Sequence, residues 1–345
     1  MSKERNMSLN IVRCMAAYMI LFCHIGQYNH FTITGEMRKG VQLFFIMSGF
    51  LIFGSIESTH STKKFYLKRI ARIVPIYWIT LLINYLTQLL WCIFVDGNTL
   101  SETILDGPCG IRYLRYFTFL HMVIPSDNYG YWNNAYAVWT MSSFFVFYVI
   151  APLMFRWINS FIKSVIVMLA ALGIRPITIR VVYRLCLYFL PEKEEVQWFA
   201  NNTPLNTLYC FCVGIAIYWA TKESKQTLLG MLLVLIFIMG KTNWFAYEMI
   251  LGVFVLITVS CPIKLNILSK YINLMAESSF SLYLIHPACL KMVNYGLNML
   301  GLSEGVLCCT VLTIFAISAG ILYWYFVERP ASRWTKNLLE KWGRL

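Results

Sequence analysis

The sequence predicts an all-α fold, a polytopic transmembrane helical bundle of about ten helices with both termini cytoplasmic. Three observations carry this. Of 345 residues, 59% are hydrophobic and only 13% charged, where a soluble domain has about 25% charged residues; the mean hydropathy is +0.61. Apolar runs long enough to cross a hydrocarbon core recur along the whole chain. Lysine and arginine collect in alternate connections between those runs, as the positive-inside rule requires.

The runs are 8–28, 40–56, 74–95, 135–156, 164–188, 204–221, 227–240, 244–260, 279–299 and 306–327, most of them about the length a bilayer demands. The first follows a short polar start with no small-residue cleavage site, so it reads as a retained helix rather than a removed signal. The segment 111–124 is apolar but short, with Arg112, Arg115 and His121, and reads as interfacial or re-entrant. Gly173, Arg175 and Pro176 interrupt the fifth run. Counting from an inside N-terminus puts Lys63, Lys64, Lys68, Arg69, Arg72, Arg156, Lys163, Lys222, Lys225, Lys264, Lys270 and the basic C-terminal tail on the cytoplasmic side. Asp96, Glu102, Asp106 and Glu192 to Glu195 then fall outside. Arg175, Arg180 and Arg184 do not fit this alternation and must face water or the protein interior. No linker or polar domain breaks the pattern, so the chain reads as one membrane domain over 1–345.

Composition also limits function. The net charge of +13 has no polar domain to carry it, which argues against nucleic acid and for topology and anionic headgroups. The 11 cysteines form no CxxC pair and sit mostly in apolar runs, so they read as small buried residues and predict no metal. Only Cys92 and Cys109 lie near an outer loop.

Three clusters carry chemistry. Arg13 and His24 share one face of the first run, about 16 Å apart along the axis and about 20° apart around it. Arginine sits near the cytoplasmic side and histidine deeper. Ionisable residues inside a span point to function by default; the plain alternative is a snorkelling arginine and a hydrogen-bonded histidine. The second cluster is Gly40 to Ile52, where Gly40, Ser48 and Gly49 allow close helix approach. The third is Phe65 to Pro75. Arg69 with Arg72, and Lys68 with Arg72, share helix faces and suit phosphate or simply anchor the cytoplasmic end. His286 precedes Pro287, which frees a backbone carbonyl that the imidazole can bond. His30, His60 and His121 read as loop or interface residues. Ser48, Ser142 and Ser143 lack a nucleophile-elbow context. Tyr131, Trp132 and Tyr136 fit an aromatic belt or a sugar platform.

Arg-x10-His on the first run, Phe44-Phe45-x-x-Ser48-Gly49-Phe50 on the second, Phe65-Tyr66-x-x-Arg69-x-x-Arg72-x-x-Pro75, Ser281 to Pro287 (SLYLIHP) and Phe326 to Pro330 (FVERP) occur in that order. Together they resemble the acyltransferase-3 family of membrane O-acyltransferases over nearly the whole chain. The resemblance implies a multi-pass protein of the bacterial inner membrane. It would move an acyl group, usually acetyl, from cytoplasmic acetyl-CoA to a sugar hydroxyl of a surface polysaccharide or its lipid-linked precursor. Acyl-CoA is then a donor substrate, with no permanently bound cofactor; the other partners are the sugar or polysaccharide acceptor and membrane lipids. The same resemblance implies His24 and Arg13 as catalytic, and Arg69 and Arg72 with neighbouring Lys68 as the donor-binding group. Phe44, Phe45, Ser48, Gly49, His286 and Glu328 would line or shape the site. The last motif is expected to end the final helix, because Pro330 opposes its continuation. Two positions depart from relatives. Gln42 and Phe144 stand where acids are common, and Glu248 is the candidate substitute, weighed against a loop-edge carboxylate. The competing readings are a transporter of a glycan or small metabolite, suggested by the interruption at 173–176, and an inactive homologue serving as a scaffold.

Overall fold

The computed structural model describes residues 3–30, 32–99, 114–124, 136–188, 193–261, 263, 268–302 and 304–341. All regular structure among them is helical. The main helices are α1 (Lys3–Tyr28), α2 (Gly40–Thr59), α3 (Thr62–Phe94), α4 (Trp139–Trp157), α5 (Phe161–Cys186), α6 (Lys193–Asn202), α7 (Pro204–Glu223), α8 (Lys225–Lys241), α9 (Ala246–Ser260), α10 (Ser269–Met299), α11 (Val306–Tyr323) and α12 (Arg329–Lys341). A 3-10 helix, Thr32–Lys39, leads into α2. Each of the ten apolar runs coincides with helix. Among the described residues, seven helical stretches, rather than ten, are long and apolar enough to cross a membrane. The runs at 227–240 and 244–260 form helices of 17 and 15 residues. The ninth lies in a continuous 31-residue helix whose apolar run is broken by buried Ser278, Ser279, Ser281 and His286.

Helices α2 and α7 form the centre. A Cβ added to Gly49 would collide with the Phe211 carbonyl, and one on Gly214 with the Ile46 carbonyl. The two backbones therefore touch, as small residues allow between apolar helices. Gly40 packs likewise on α1, where a Cβ would come within 2.5 Å of the Ala16 carbonyl oxygen. Phe45, Phe147 and Phe211 fill the space beside the crossing, with the Phe147 and Phe211 rings stacked at 4.1 Å. In contrast, α5 shows Ile162, Ile166, Leu169, Ile174, Ile177, Val181 and Leu185 to the outside. That continuous apolar face is what lipid requires.

Helix ends follow local chemistry. Ser61 and Ser160 cap α3 and α5 by accepting from the backbone N–H of Lys64 and Lys163, which satisfies donors the first turn leaves open. Ser224 and Thr227 form a reciprocal capping box on α8.

Four expectations change. Residues 173–176 do not interrupt the fifth span: α5 runs unbroken through Pro176. Arg175 donates from Nε to the Asn206 carbonyl at 3.1 Å, and the Thr178 hydroxyl donates to the Asn206 side chain. Packing on both sides of the proline thus holds the helix, and the support this segment lent to a transporter disappears. Arg175 faces the interior, over the Tyr209 and Phe245 rings. The last motif does not end its helix either. A π-helical turn, Trp324–Glu328, carries the chain directly into α12, where Pro330 stands in the first turn and needs no helical donor. His121 is not a surface residue but buried, stacked on Tyr116, with Nε2 3.1 Å from the Val138 carbonyl. Finally, Glu248 is no loop-edge carboxylate; it is 3% exposed. The readings of Glu102, Asp106, Cys109, Arg112, Tyr131, Trp132, Glu192, Lys264 and Arg344 lie outside the described residues.

Candidate active site

Two cavities meet inside the bundle. The first, with about 950 Å³ of empty space, lies toward the end where α1 begins. Arg13 of α1, Phe44 and Ser48 of α2, Arg69 and Arg72 of α3, Phe144 and Tyr148 of α4, and Tyr283 of α10 line it. Arg69 is fixed there. It donates from Nη2 to Ser55 Oγ at 2.6 Å, and its guanidinium lies 5.4 Å from the Phe65 ring and 5.9 Å from the Tyr148 ring. Its Nε is buried with no hydrogen-bond partner. Arg13 donates to Asn10 Oδ1 at 3.4 Å, and Asn10 in turn reaches Asn273 of α10. Arg72 is exposed at the rim. Three guanidinium groups thus line one largely apolar cavity together with the exposed Glu277, an excess of positive charge that suits phosphate or another polyanion.

The second cavity, with about 1980 Å³ of empty space, lies toward the other end of α1. His24 and Gln27 of α1, Lys39, Gln42 and Phe45, Arg175, Asn206, Glu248 and Tyr283 line it, with Trp139, Trp198 and Trp244. Val41 and Tyr283 belong to both cavities and form the partition. Tyr283 is pinned: its hydroxyl lies 2.5 Å from the Ala137 carbonyl and 2.8 Å from Thr140 Oγ1.

His24 is oriented by two contacts. Its Nδ1 lies 2.9 Å from Gln27 Oε1, so with the amide in this orientation Nδ1 carries the proton and Nε2 is the basic nitrogen. Its ring also stacks on His286, with centroids 5.2 Å apart. His286 is buried, and its Nδ1 lies 2.9 Å from the Tyr283 carbonyl. That carbonyl is four residues before Pro287, so it is the group the proline leaves without a helical donor. Glu328, brought inward by the π-helical turn, accepts from Ser281 Oγ at 2.5 Å. The SLYLIHP and FVERP motifs therefore meet, and the first also supplies the partition and the histidine stack.

Not every sequence candidate reaches the site. Lys68 is exposed and lines neither cavity. Gly49 serves the α2–α7 crossing. Ser142 donates to the Phe119 carbonyl at 2.6 Å and accepts from Met122 N, tying down the 118–122 segment. Ser143 accepts from Thr207. Sequence reading passed over Tyr283, although it lies three residues from His286 on one helix face.

Residues 6–325 match the acyltransferase domain family, acyltransferase-3. The chain belongs to this family. Among curated relatives, it is 25% identical over 310 residues to the putative acetyltransferase ORF330 of Acidianus two-tailed virus, covering 83% of this chain and 84% of that protein. It is 24% identical over 369 aligned positions to the acyltransferase MdmB of Streptomyces mycarofaciens, covering 94% and 91%. Nodulation protein 10 of Rhizobium leguminosarum bv. viciae is 26% identical over 199 residues, half of each chain. No solved structure matches.

Proposed function

We propose that this member of the acyltransferase-3 family is an acetyl-CoA-dependent O-acetyltransferase. On this reading it spans the bacterial inner membrane with both termini in the cytoplasm. Its acceptor is a sugar hydroxyl of a surface polysaccharide or a lipid-linked precursor. One observation supports the reading above the rest: an arginine-lined cavity and a histidine-lined cavity adjoin at a common wall, Val41 and Tyr283.

The donor's phosphates sit among Arg13, Arg69 and Arg72, and the thioester reaches past Tyr283. The acceptor enters from the His24 side. His24 Nε2 removes the hydroxyl proton as the oxygen attacks the thioester carbonyl carbon. The C–S bond then breaks, and the imidazolium returns its proton to the departing CoA thiolate. Gln27 and His286 hold the ring so that the basic nitrogen is presented. No other cofactor takes part.

The test is deletion of the protein from its host, followed by mass analysis of surface glycans and transfer from radiolabelled acetyl-CoA in isolated membranes. The expected result is loss of one acetyl increment per modified sugar and loss of labelled glycan. Unaltered glycans together with unaltered label incorporation would overturn the reading.

A further inference from the structure

Two residues that line the His24 cavity each hold a buried oxygen atom with no hydrogen-bond partner. These atoms are Glu248 Oε2 and Gln42 Oε1. Glu248 is 3% exposed. Its second oxygen, Oε1, accepts from Lys39 Nζ at 2.9 Å. Lys39 is itself held over the Tyr247 ring, 5.4 Å from its centroid. Glu248 also stands in the first turn of α9, where the positive end of the helix dipole favours a carboxylate. Lys39 thus fixes the carboxylate at one oxygen, and the other, on a residue that lines the cavity, is left without a partner. Leaving a buried acceptor of this kind unsatisfied is costly. Two such acceptors on residues that line one cavity call for a ligand that brings hydrogen-bond donors.

The charge around them narrows the donor. Arg38, Lys39 and Arg175 line the same cavity, and among the described residues only Glu248 pairs with any of them. The excess positive charge repels an ammonium. Neutral hydroxyl groups satisfy both requirements, and Trp198 and Trp244, which line the same cavity, offer faces for a sugar ring.

We propose that Glu248 and Gln42 form a hydroxyl-reading subsite that selects the acceptor, a neutral polyol ring, with Lys39 as the residue that positions Glu248. This rests on the acyltransferase reading above and adds a specificity determinant to it.

The experiment uses the full-length protein in lipid nanodiscs. Radiolabelled acetyl-CoA is the donor. Methyl glycosides of mannose, galactose, rhamnose and N-acetylglucosamine, with their monodeoxy analogues, are the acceptor probes. Glu248→Gln is expected to raise the KM for the accepted glycoside about ten- to a hundredfold, the range of a hydrogen bond to a charged group, with the KM for acetyl-CoA within about twofold of wild type. One monodeoxy glycoside should lose a similar factor on wild type and nothing further on Glu248→Gln, because the two changes remove the same contact. Thermal unfolding is followed in parallel. If Glu248→Gln fails to fold because Lys39 is left unpaired, Lys39→Met with Glu248→Gln removes both charges and must show the same selective rise. An unchanged acceptor KM, an equal rise for acetyl-CoA, or no single hydroxyl coupled to position 248 would overturn the subsite. So would a wild type that acetylates its own membranes but takes none of the glycosides. Failure of the wild type to acetylate membranes at all would remove the acyltransferase reading instead.

Discussion

The two cavities share a wall and differ in what they leave unpaired. On the arginine side the buried group lacking a partner is a donor, Arg69 Nε; on the histidine side the buried groups are acceptors, Gln42 Oε1 and Glu248 Oε2. A phosphate-bearing ligand supplies acceptors and a polyol supplies donors, so each cavity has the polarity of one half of an acyl transfer. The contrast extends to the aromatic lining. Phe144 and Tyr148 enclose the guanidinium groups on one side, whereas three tryptophans line the other. Phe144 helps to close the arginine cavity. The same lining does hold one acid, Glu277, an exposed residue of α10.

The comparison breaks first at His24. His24→Ala is expected to lower acetyl transfer about a hundredfold or more, the scale of a general base, while membrane insertion and yield stay at wild-type levels; labelled glycan is the readout. Wild-type rates would empty the histidine cavity of its catalytic role. Arg69→Ala comes next. It should raise the KM for acetyl-CoA about ten- to a hundredfold and leave the acceptor KM alone. Arg69→Lys should not restore it, since a point charge lacks the planar fork. An equal effect on both substrates would erase the distinction between the cavities. Ser281→Ala strips the buried Glu328 carboxylate of its hydroxyl donor and should cost about 1–3 kcal/mol of stability, measured by thermal unfolding; an unchanged midpoint would show that the two motifs meet without holding each other. Lys68→Ala is the smallest. Exposed and outside both cavities, it should shift stability by no more than about 0.5 kcal/mol and leave the donor KM within about twofold. A larger rise would return Lys68 to the donor site.

Much of the helical framework was legible because apolar runs of bilayer length have few other outcomes. Arg13, Arg69 and Arg72 were legible as a group because charge inside a span is rarely idle. What escaped depends on neighbours rather than on order along the chain. Helical spacing put Arg13 and His24 on one face, but it could not show that Tyr283 from a helix far along the sequence divides that face between two cavities. Lys68 and Arg72 share a face by spacing, yet only Arg72 turns toward the cavity. His121 looked like a loop residue because its own segment is short; its partners are the Val138 carbonyl, Ser142 of α4 and the Tyr116 ring. Pro330 looked like a terminator because a proline's neighbours are judged on a regular helix, and the turn before it is not regular.

That irregular turn has a consequence of its own. A π-helical turn accommodates one residue more than the α-helix around it, and one residue corresponds to about 100° of rotation. Glu328 therefore faces Ser281 by phase as much as by identity. Removing a single residue from Trp324 to Val327 would alter no side chain of the site, yet would let the helix close into regular winding and swing the carboxylate toward a different neighbour. At this corner of the molecule, the length of the chain is as much a part of the site as the residues it carries.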